Sequence, residues 1–388
     1  MFRRVEADID IDAIRENIKT VQALNPAERM TCLVIKADAY GHGAVPLARE
    51  LDDLAEYYAV ATMDEAVELR NADIRKPILI LGYTDESEFE TAIRYEVTTA
   101  VYNAEKAEKL SELALSLGTD ARVHIKVDTG MSRIGFQCSE EGLAEAEKLL
   151  TMKGLDVEGI FTHYAKADYK DKKDAKLQYD RFASFVEELE NRGFQFSYRH
   201  IDNSAGAMEI HSQGFDMMRL GIVIYGLYPS EEIDKSVVIK PAMSLKSRVI
   251  HVKTVPAGTG VGYGWTFVAD KDTRVATVSV GYADGYPRAL SNKGRVLIHG
   301  IYAPIIGRVC MDQIMVDVTE LEKESNHPVE VGDEVVLFGT QGGKIISVEE
   351  VAEPANSFNY EAVCNISRRV PRVYFRNGEY QYEINHLK

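Results

Sequence analysis

Lys36 closes the apolar run "TCLVI" and is followed at once by Asp38, Tyr40, Gly41 and Gly43. An amine in that position has two chemistries open to it. Reaching solvent from a loop, it remains an ordinary cation on an aliphatic stem. Desolvated, it loses its charge and becomes a nucleophile able to condense with a carbonyl group as a Schiff base. Further along, other polar groups close apolar runs in the same way: Lys126, Asp128 and Arg133 in "KVDTGMSRIG", His163 in "FTHYAKAD", Asn203 and Ser204 in "HIDNSAG", and Arg219 and Gly221 in "MMRLGIVIYG". Each of them, taken singly, also suits a purely structural role. Ser204 and Gly221 are types that let the oxygens of a phosphate come close to backbone amides and a small hydroxyl. A phosphate beside a lysine amine suggests pyridoxal 5′-phosphate, whose aldehyde condenses with the amine and whose ring draws electrons from a substrate's α-carbon. Tyr40 either offers its hydroxyl to the same phosphate or packs as an aromatic.

The elements that must position these groups follow from periodicity. From residue 30 to about 226, short apolar runs alternate with amphipathic segments, and eight runs read as strands: "TCLVIK", "YYAVAT", "PILILG", "TTAVY", "RVHIKVD", "VEGIFTH", "YRHIDN" and "MRLGIVIYG". Helical patterns such as "MDEAVELRNA", "NAEKAEKLSELALSL" and "QYDRFASFVEELENRG" lie between them. This rhythm predicts an α/β fold whose N-terminal part is a (β/α)8 TIM-type barrel, with an open doubly wound sheet as the alternative. In such a barrel the C-terminal strand ends share one rim, so the polar groups above converge. After about residue 236 the rhythm becomes that of alternating strands, "SLKSRVIHVKTV", "RVATVSV", "VCMDQIMVDV" and "DEVVLFG", between glycine-rich turns. The expected division is therefore a barrel over 1–235 and a mostly β domain over 236–388.

Composition narrows the function. The chain has 388 residues and a formal net charge of −16, which argues against a nucleic-acid partner, since phosphate backbones call for concentrated Lys and Arg. No run approaches the length of a membrane span, and acidic residues interrupt the start of the chain, so the expected location is cytoplasmic with no membrane partner. Cys32, Cys138, Cys310 and Cys364 lack CxxC spacing and His163 and His200 stand far apart, so neither a disulfide framework nor a metal site is expected.

Read together and in order, "VIKADAYGHG", "KVDTGMSRIGF", "HIDNSAG", "MMRLGIVIYG", "GVGYGWTF", "VSVGYADGYPR", "GRVCMDQIMVDV" and "ISRRVPRVY" closely resemble the bacterial alanine racemases over essentially the whole chain. The resemblance implies interconversion of L- and D-alanine through a pyridoxal phosphate aldimine on Lys36, for cell-wall peptidoglycan. By it, Tyr40, Ser204, Gly221, Ile222 and Tyr360 hold the phosphate, with Asn203 among the cofactor contacts. Arg219 faces the pyridine nitrogen with His163 behind it. An arginine there donates a hydrogen bond without giving up its proton, so the ring stays a weaker electron sink. Racemisation takes a proton from one face of the α-carbon and returns one to the other, and the resemblance gives Lys36 one face and Tyr263 the opposite one. Phenols ionise near pH 10 in water, so positive neighbours must favour the phenolate. Arg133 resembles the arginine beside that tyrosine and the substrate carboxylate, and Lys126 the lysine often carbamylated there. Met311 and Asp312 resemble the carboxylate site. Tyr282, Arg288, Arg308 and Cys310 match an entrance.

The resemblance also implies a homodimer in which Tyr263 and Met311 of one chain serve the barrel mouth of the other. Four positions depart from the family pattern: Asp202, Tyr164, Lys166 and Gly262. Asp202 and Lys166 bring charges toward the rim, where neighbouring pKa values are set. Three rivals compete: a serine or broad-specificity racemase of the same fold, a non-enzymatic pyridoxal phosphate carrier, and a barrel-type decarboxylase. The carrier needs no second domain, and the decarboxylase profits from a protonated ring that Arg219 would not supply.

Overall fold

Continuous apolar runs that can be buried on both faces favour a parallel sheet wrapped in helices, and eight such strands form here. The computed structural model describes residues 3–388. Met30–Val34, Tyr57–Val60, Ile78–Ile80, Thr98–Val101, Ala121–Asp128, Leu155–Phe161 and Tyr198–His200 pair in parallel, each with the next, and the eighth strand, Met217–Leu220, pairs with the first. Between the seventh and eighth strands the barrel is nearly closed by two backbone bonds, Asp216 N–H to Arg199 O (2.8 Å) and Arg219 N–H to Asp202 O (3.0 Å). All eight expected strands are present, and their C-terminal ends form one rim.

The helices between them start where their sequences allow. Met63–Asn71 opens on a capping box, with Thr62 accepting from the Glu65 amide and Glu65 reaching back to the Thr62 amide. Asn103 caps Ala104–Leu117, which ends at Gly118 in the left-handed region. Lys173–Asn191 buries Phe182, Phe185, Val186 and Leu189 along one stripe, the apolar face its heptad-like spacing predicts.

The second unit is β-rich. Its long strand Met243–Val255 pairs antiparallel with Thr273–Val278 on one side and with Glu334–Gln341 on another. Through Arg295–Ile298, Ile301–Ile306 and Ile314–Asp317 the ladder returns on itself as a closed ring. Closure of this kind removes exposed strand edges.

The expected division at 235/236 needs correction at both ends. The barrel unit is Ile14–Lys240, and Met1–Ala13 belongs with Pro241–Lys388. Strand Val5–Asp10 explains the first change: it pairs antiparallel with Met243–Val255 and parallel with Arg372–Arg376, burying Val5, Ala7 and Ile9 there. The buried Asn17 explains the second, since its amide donates to Lys240 O (2.8 Å) and accepts from the Lys240 N–H (2.8 Å), holding that segment to the first helix. Among the described residues no helix is long and apolar enough to cross a membrane.

Candidate active site

In the barrel unit the first strand ends at Val34, and the Ile35 amide makes the last ladder bond, to Ala59 O. Lys36 then enters a tight turn in which Ala37, Asp38, Ala39 and Tyr40 all have φ between 51° and 53°. Four consecutive non-glycine residues in the left-handed region cost roughly 1–2 kcal/mol each, so the surroundings must hold the turn. Ala39 N–H bonds Ile35 O, Gly41 N–H bonds Ala37 O and Gly43 N–H bonds Asp38 O. The Ala37 amide donates to Glu65 (2.6 Å), and the Asp38 carboxylate accepts from the Ala44 amide (2.7 Å). Strain concentrated in this way is typical of functional segments. Here it replaces the expected simple strand end.

The same turn carries Tyr40 to the eighth strand. A Cβ placed on Gly221 would lie 3.0 Å from the Tyr40 hydroxyl and 3.7 Å from Ser204 Oγ. The Gly221 amide donates to Ser204 Oγ at 3.0 Å, and Ile222 opens the short helical turn Ile222–Tyr225 directly behind it. Two hydroxyls therefore meet at a position without a side chain, a small cradle suited to phosphate oxygens.

Arg219 is buried to 2% exposure. Its Nη1 donates to His200 Nδ1 (2.7 Å), and its Nη2 donates to Thr162 O (2.8 Å), Ile201 O (3.0 Å) and His163 Nδ1 (3.1 Å). Its Nε is buried and has no acceptor among the described residues. An orphaned charged donor is costly, on the order of 1–3 kcal/mol or more, and fits the lone pair of a pyridine nitrogen. Burial brings Arg219 down to about 10, which leaves it a cation at neutral pH.

His163 sits beside Arg219, as expected, but His200 makes the shorter contact and was passed over in reading strand ends. It is the last residue of the seventh strand, Tyr198–His200, and its sequence signal is a polar type in the same run that offered Asn203 and Ser204. Burial, reinforced by Arg219, pushes both His163 and His200 well below the usual imidazole value. Asn203 Nδ2 stands 3.5 Å from His163 Nε2, while Asn203 Oδ1 accepts from the Gly206 amide (3.0 Å).

Lys126 is buried, with Nζ donating to Val127 O (2.6 Å). Burial, with Arg219 adding to it, brings its ammonium down to about 7. The loop beyond is built on Asp128, whose Oδ1 accepts from the amides of Gly130 and Ser132, each at 3.0 Å. Gly135 folds back so tightly, at φ 136°, that a Cβ would fall 2.4 Å from the Asp128 nitrogen. Arg133 projects from this loop and is exposed.

The charges expected near the rim are neutralised. Asp202 is wholly buried, paired with Arg29 Nη2 at 2.7 Å and accepting from the amide (3.1 Å) and hydroxyl (2.6 Å) of Ser212. Tyr164, a second departure, joins the same cluster through its hydroxyl to Ser212 Oγ (2.8 Å). Lys166 pairs with Asp174 at the surface (2.6 Å).

The β-rich unit gathers the remaining candidates. Tyr263 begins a one-turn helix, Tyr263–Trp265, entered through Gly262 at φ 71°, and is 71% exposed. The glycine at 262 has a physical reason, because a Cβ there would stand 2.8 Å from the Met315 methyl and 3.4 Å from the Arg308 nitrogen. The "VCMDQIMVDV" segment is a strand only over Ile314–Asp317. Ahead of it the Cys310 amide bonds Gln313 O (3.0 Å), making a turn with Met311, 51% exposed, and Asp312 at its tip. The Asp312 carboxylate accepts from Arg369 (2.7 Å). This turn is zipped to the "GYADGY" loop by Tyr282 N–H to Cys310 O (3.0 Å) and Ala283 N–H to Met311 O (3.1 Å). Arg288 acts on the Cys310 thiol, which burial raises and the guanidinium partly offsets. Tyr360 lies on Asn359–Cys364 in this unit and not in the barrel.

The donor set of the barrel unit, a lysine on a strained turn, a hydroxyl-lined cradle and a buried arginine with one free nitrogen, fits a phosphorylated pyridine aldehyde. Known proteins agree. The family model "Alanine racemase, N-terminal domain" matches residues 9–229, and "Alanine racemase, C-terminal domain" matches 242–374. The alanine racemase of Desulforamulus reducens is 48% identical over 376 residues, covering 96% of this chain and 100% of that one. The solved structure of alanine racemase from Clostridium difficile 630 superposes with a TM-score of 0.94 at 40% identity, covering 100% of both chains. The same protein in complex with cycloserine superposes at 0.93 with 39% identity, again over 100% of both.

Proposed function

This chain belongs to the alanine racemase family, and from that premise we propose that it interconverts L- and D-alanine with pyridoxal 5′-phosphate, supplying D-alanine for bacterial peptidoglycan from the cytoplasm. The observation that carries the reading is the buried Arg219 Nε, which has no protein acceptor among the described residues. When bound, the cofactor draws electrons from the α-carbon of the amino acid and so acidifies its C–H bond.

The chain's own residues do the rest. Lys36 would hold the cofactor through Nζ, and Tyr40, Ser204, Gly221, Ile222 and Tyr360 would take its phosphate, with Asn203 among the cofactor contacts. Arg219 stays protonated, so it orients the ring by donation and does not acidify it further. His163 and His200 brace the guanidinium. Lys36 moves a proton at one face of the α-carbon and Tyr263 at the other. Arg133, the Met311 amide and Asp312 take the substrate carboxylate. Tyr282, Arg288, Arg308 and Cys310 border the entrance. Lys126, brought to about 7 by burial and then by Arg219, has the neutral amine fraction that carbamylation needs, and the carbamate would orient Arg133. Two copies form the working unit, and the exposure of Tyr263 and Met311 on the single chain is consistent with their serving a partner.

The test is L-alanine in deuterated water. Loss of optical rotation should keep pace with α-deuteration, leaving equal amounts of the two enantiomers. Formation of pyruvate, or release of carbon dioxide, in place of racemisation would mean that a different reaction is catalysed.

A further inference from the structure

Behind Arg219 a row of polar side chains continues into the barrel interior beyond the groups the racemase chemistry touches. The guanidinium donates from Nη1 to His200 Nδ1 (2.7 Å), so that nitrogen is an acceptor and the His200 proton must sit on Nε2. His200 Nε2 lies 2.9 Å from His124 Nδ1, which is thereby the acceptor, and the His124 proton is driven to its own Nε2. That atom faces Glu158 Oε1 at 3.4 Å, close enough for its charge to act but without a hydrogen bond among the described residues. The same carboxylate oxygen accepts from the hydroxyls of Tyr57 (2.7 Å) and Thr98 (2.8 Å). His124 and His200 are wholly buried.

Local backbone features serve this row and nothing else visible. Between the fifth and sixth strands the register slips, with Val123 opposite Val157 and His124 opposite Gly159, so Glu158 is the extra residue of a bulge. A bulge re-aims a side chain that regular alternation would send elsewhere. At Gly159 a Cβ would come within 2.7 Å of the His124 ring, so the absence of a side chain there makes room for the imidazole. Phe161 stacks on His200 with ring centroids 4.8 Å apart and planes 3° from parallel, fixing its rotation.

We propose that His200, His124 and Glu158 are positioning residues: they form one oriented row, hydrogen-bonded from Arg219 to His124 and closed by the charge of Glu158, that keeps both imidazoles neutral with the proton on Nε2 and clamps Arg219 so that Nε is the nitrogen left for the cofactor. The role assigned to Arg219 rests on the racemase reading, whereas the direction of the chain rests on the contacts above. Electrostatics agrees with it. Burial, with Arg219 next, holds His200 well below its usual value, and burial likewise lowers His124. Burial alone would raise Glu158, but the donors His124, Tyr57 and Thr98 outweigh it and bring the carboxyl to about 2. The row therefore carries a cation at one end, a carboxylate at the other and two neutral rings between, each a donor in one direction only.

The experiment reads the ring nitrogens of 15N-histidine-labelled apoenzyme near pH 8, with His124→Gln and His200→Gln used for assignment. Both rings should show a bare Nδ1 and a protonated Nε2. A proton on Nδ1 of either ring, or an imidazolium, overturns the proposal. Pyridoxal 5′-phosphate is then titrated into apoenzyme variants whose circular dichroism is native. Glu158→Leu should weaken its binding by roughly tenfold, the scale of one lost hydrogen bond to a charged group, while Glu158→Gln, which keeps an acceptor oxygen, should stay near wild type. Should the leucine variant not fold, His124→Phe breaks the chain with the ring volume kept and carries the same expectation. Unchanged affinity in a folded chain-breaking variant overturns the positioning role. None of these readings needs turnover, so a protein that fails to racemise alanine but shows both tautomers would sink the function and leave the chain standing.

Discussion

Lys36 and Lys126 both close apolar runs, yet only burial separates a reactive amine from a surface cation, and burial is a tertiary fact. The sequence made Lys36 legible because it follows an uninterrupted apolar run, and Lys126 because it stands near the end of "RVHIKVD". It did not reveal His200, because one polar residue among several in "YRHIDN" has the same appearance whether it bonds Arg219 or a backbone carbonyl. Lys126 offers a prediction at this scale. Its ammonium titrates at about 7 in the folded protein and near 10.4 in an unfolded chain. Between those values the unfolded state binds more protons, so this residue makes stability rise with pH. Below pH 7 the folded protein bears the whole cost of the buried charge. Lys126→Met should therefore gain on wild type at pH 6 relative to pH 9 by about 2.7 kcal/mol, read from urea unfolding in carbonate-free buffer. An equal difference at the two pH values would refute the burial of a titrating amine.

Strands were legible at the level of elements most directly where burial on both faces left a continuous apolar run, as in Tyr57–Val60 and Ile78–Ile80, while "YRHIDN" was placed by the alternation with helical segments around it. The turn at Lys36 was not legible, because Ala37, Asp38, Ala39 and Tyr40 include no residue type that advertises positive φ. "VCMDQ" was read as strand because its apolar spacing matches one, but the Cys310 to Gln313 bond makes it a turn. The contact between that turn and the "GYADGY" loop can be tested. Gly281 has an extended φ of −159° that any residue adopts, so the obstacle to a side chain is purely steric. A Cβ there would lie 2.3 Å from both Cys310 O and Met311 O. Gly281→Ala should separate the two segments and lower kcat/KM by about a hundredfold, the usual cost of misplacing substrate contacts by an ångström, with circular dichroism unchanged. Activity within twofold of wild type would show that the zipped pair does not position the substrate.

For the whole molecule, the two rhythms in the sequence announced two units, but the assignment of residues 1–13 could not be read locally, because the partners of strand Val5–Asp10 lie more than two hundred residues away. Assembly yields the prediction at this scale. Lys36→Ala and Tyr263→Ala, each expected to be inactive, are unfolded together and refolded. If the proposed dimer shares its sites, half of the dimers are mixed, and each has one site with both residues intact. Roughly a quarter of wild-type activity should then return. No recovery, once mixed dimers are shown to have formed, would place both residues of each site in one chain. The N-terminal strand has a consequence for how this protein is made. Val5–Asp10 is translated ahead of the barrel, and the entire barrel sequence follows before Met243–Val255 exists to receive it. Its other neighbour, Arg372–Arg376, is among the last residues translated. On the ribosome the barrel can close while the strand that precedes it is still unpaired, and a chain cut short ahead of Met243 would leave Val5, Ala7 and Ile9 without either strand that buries them.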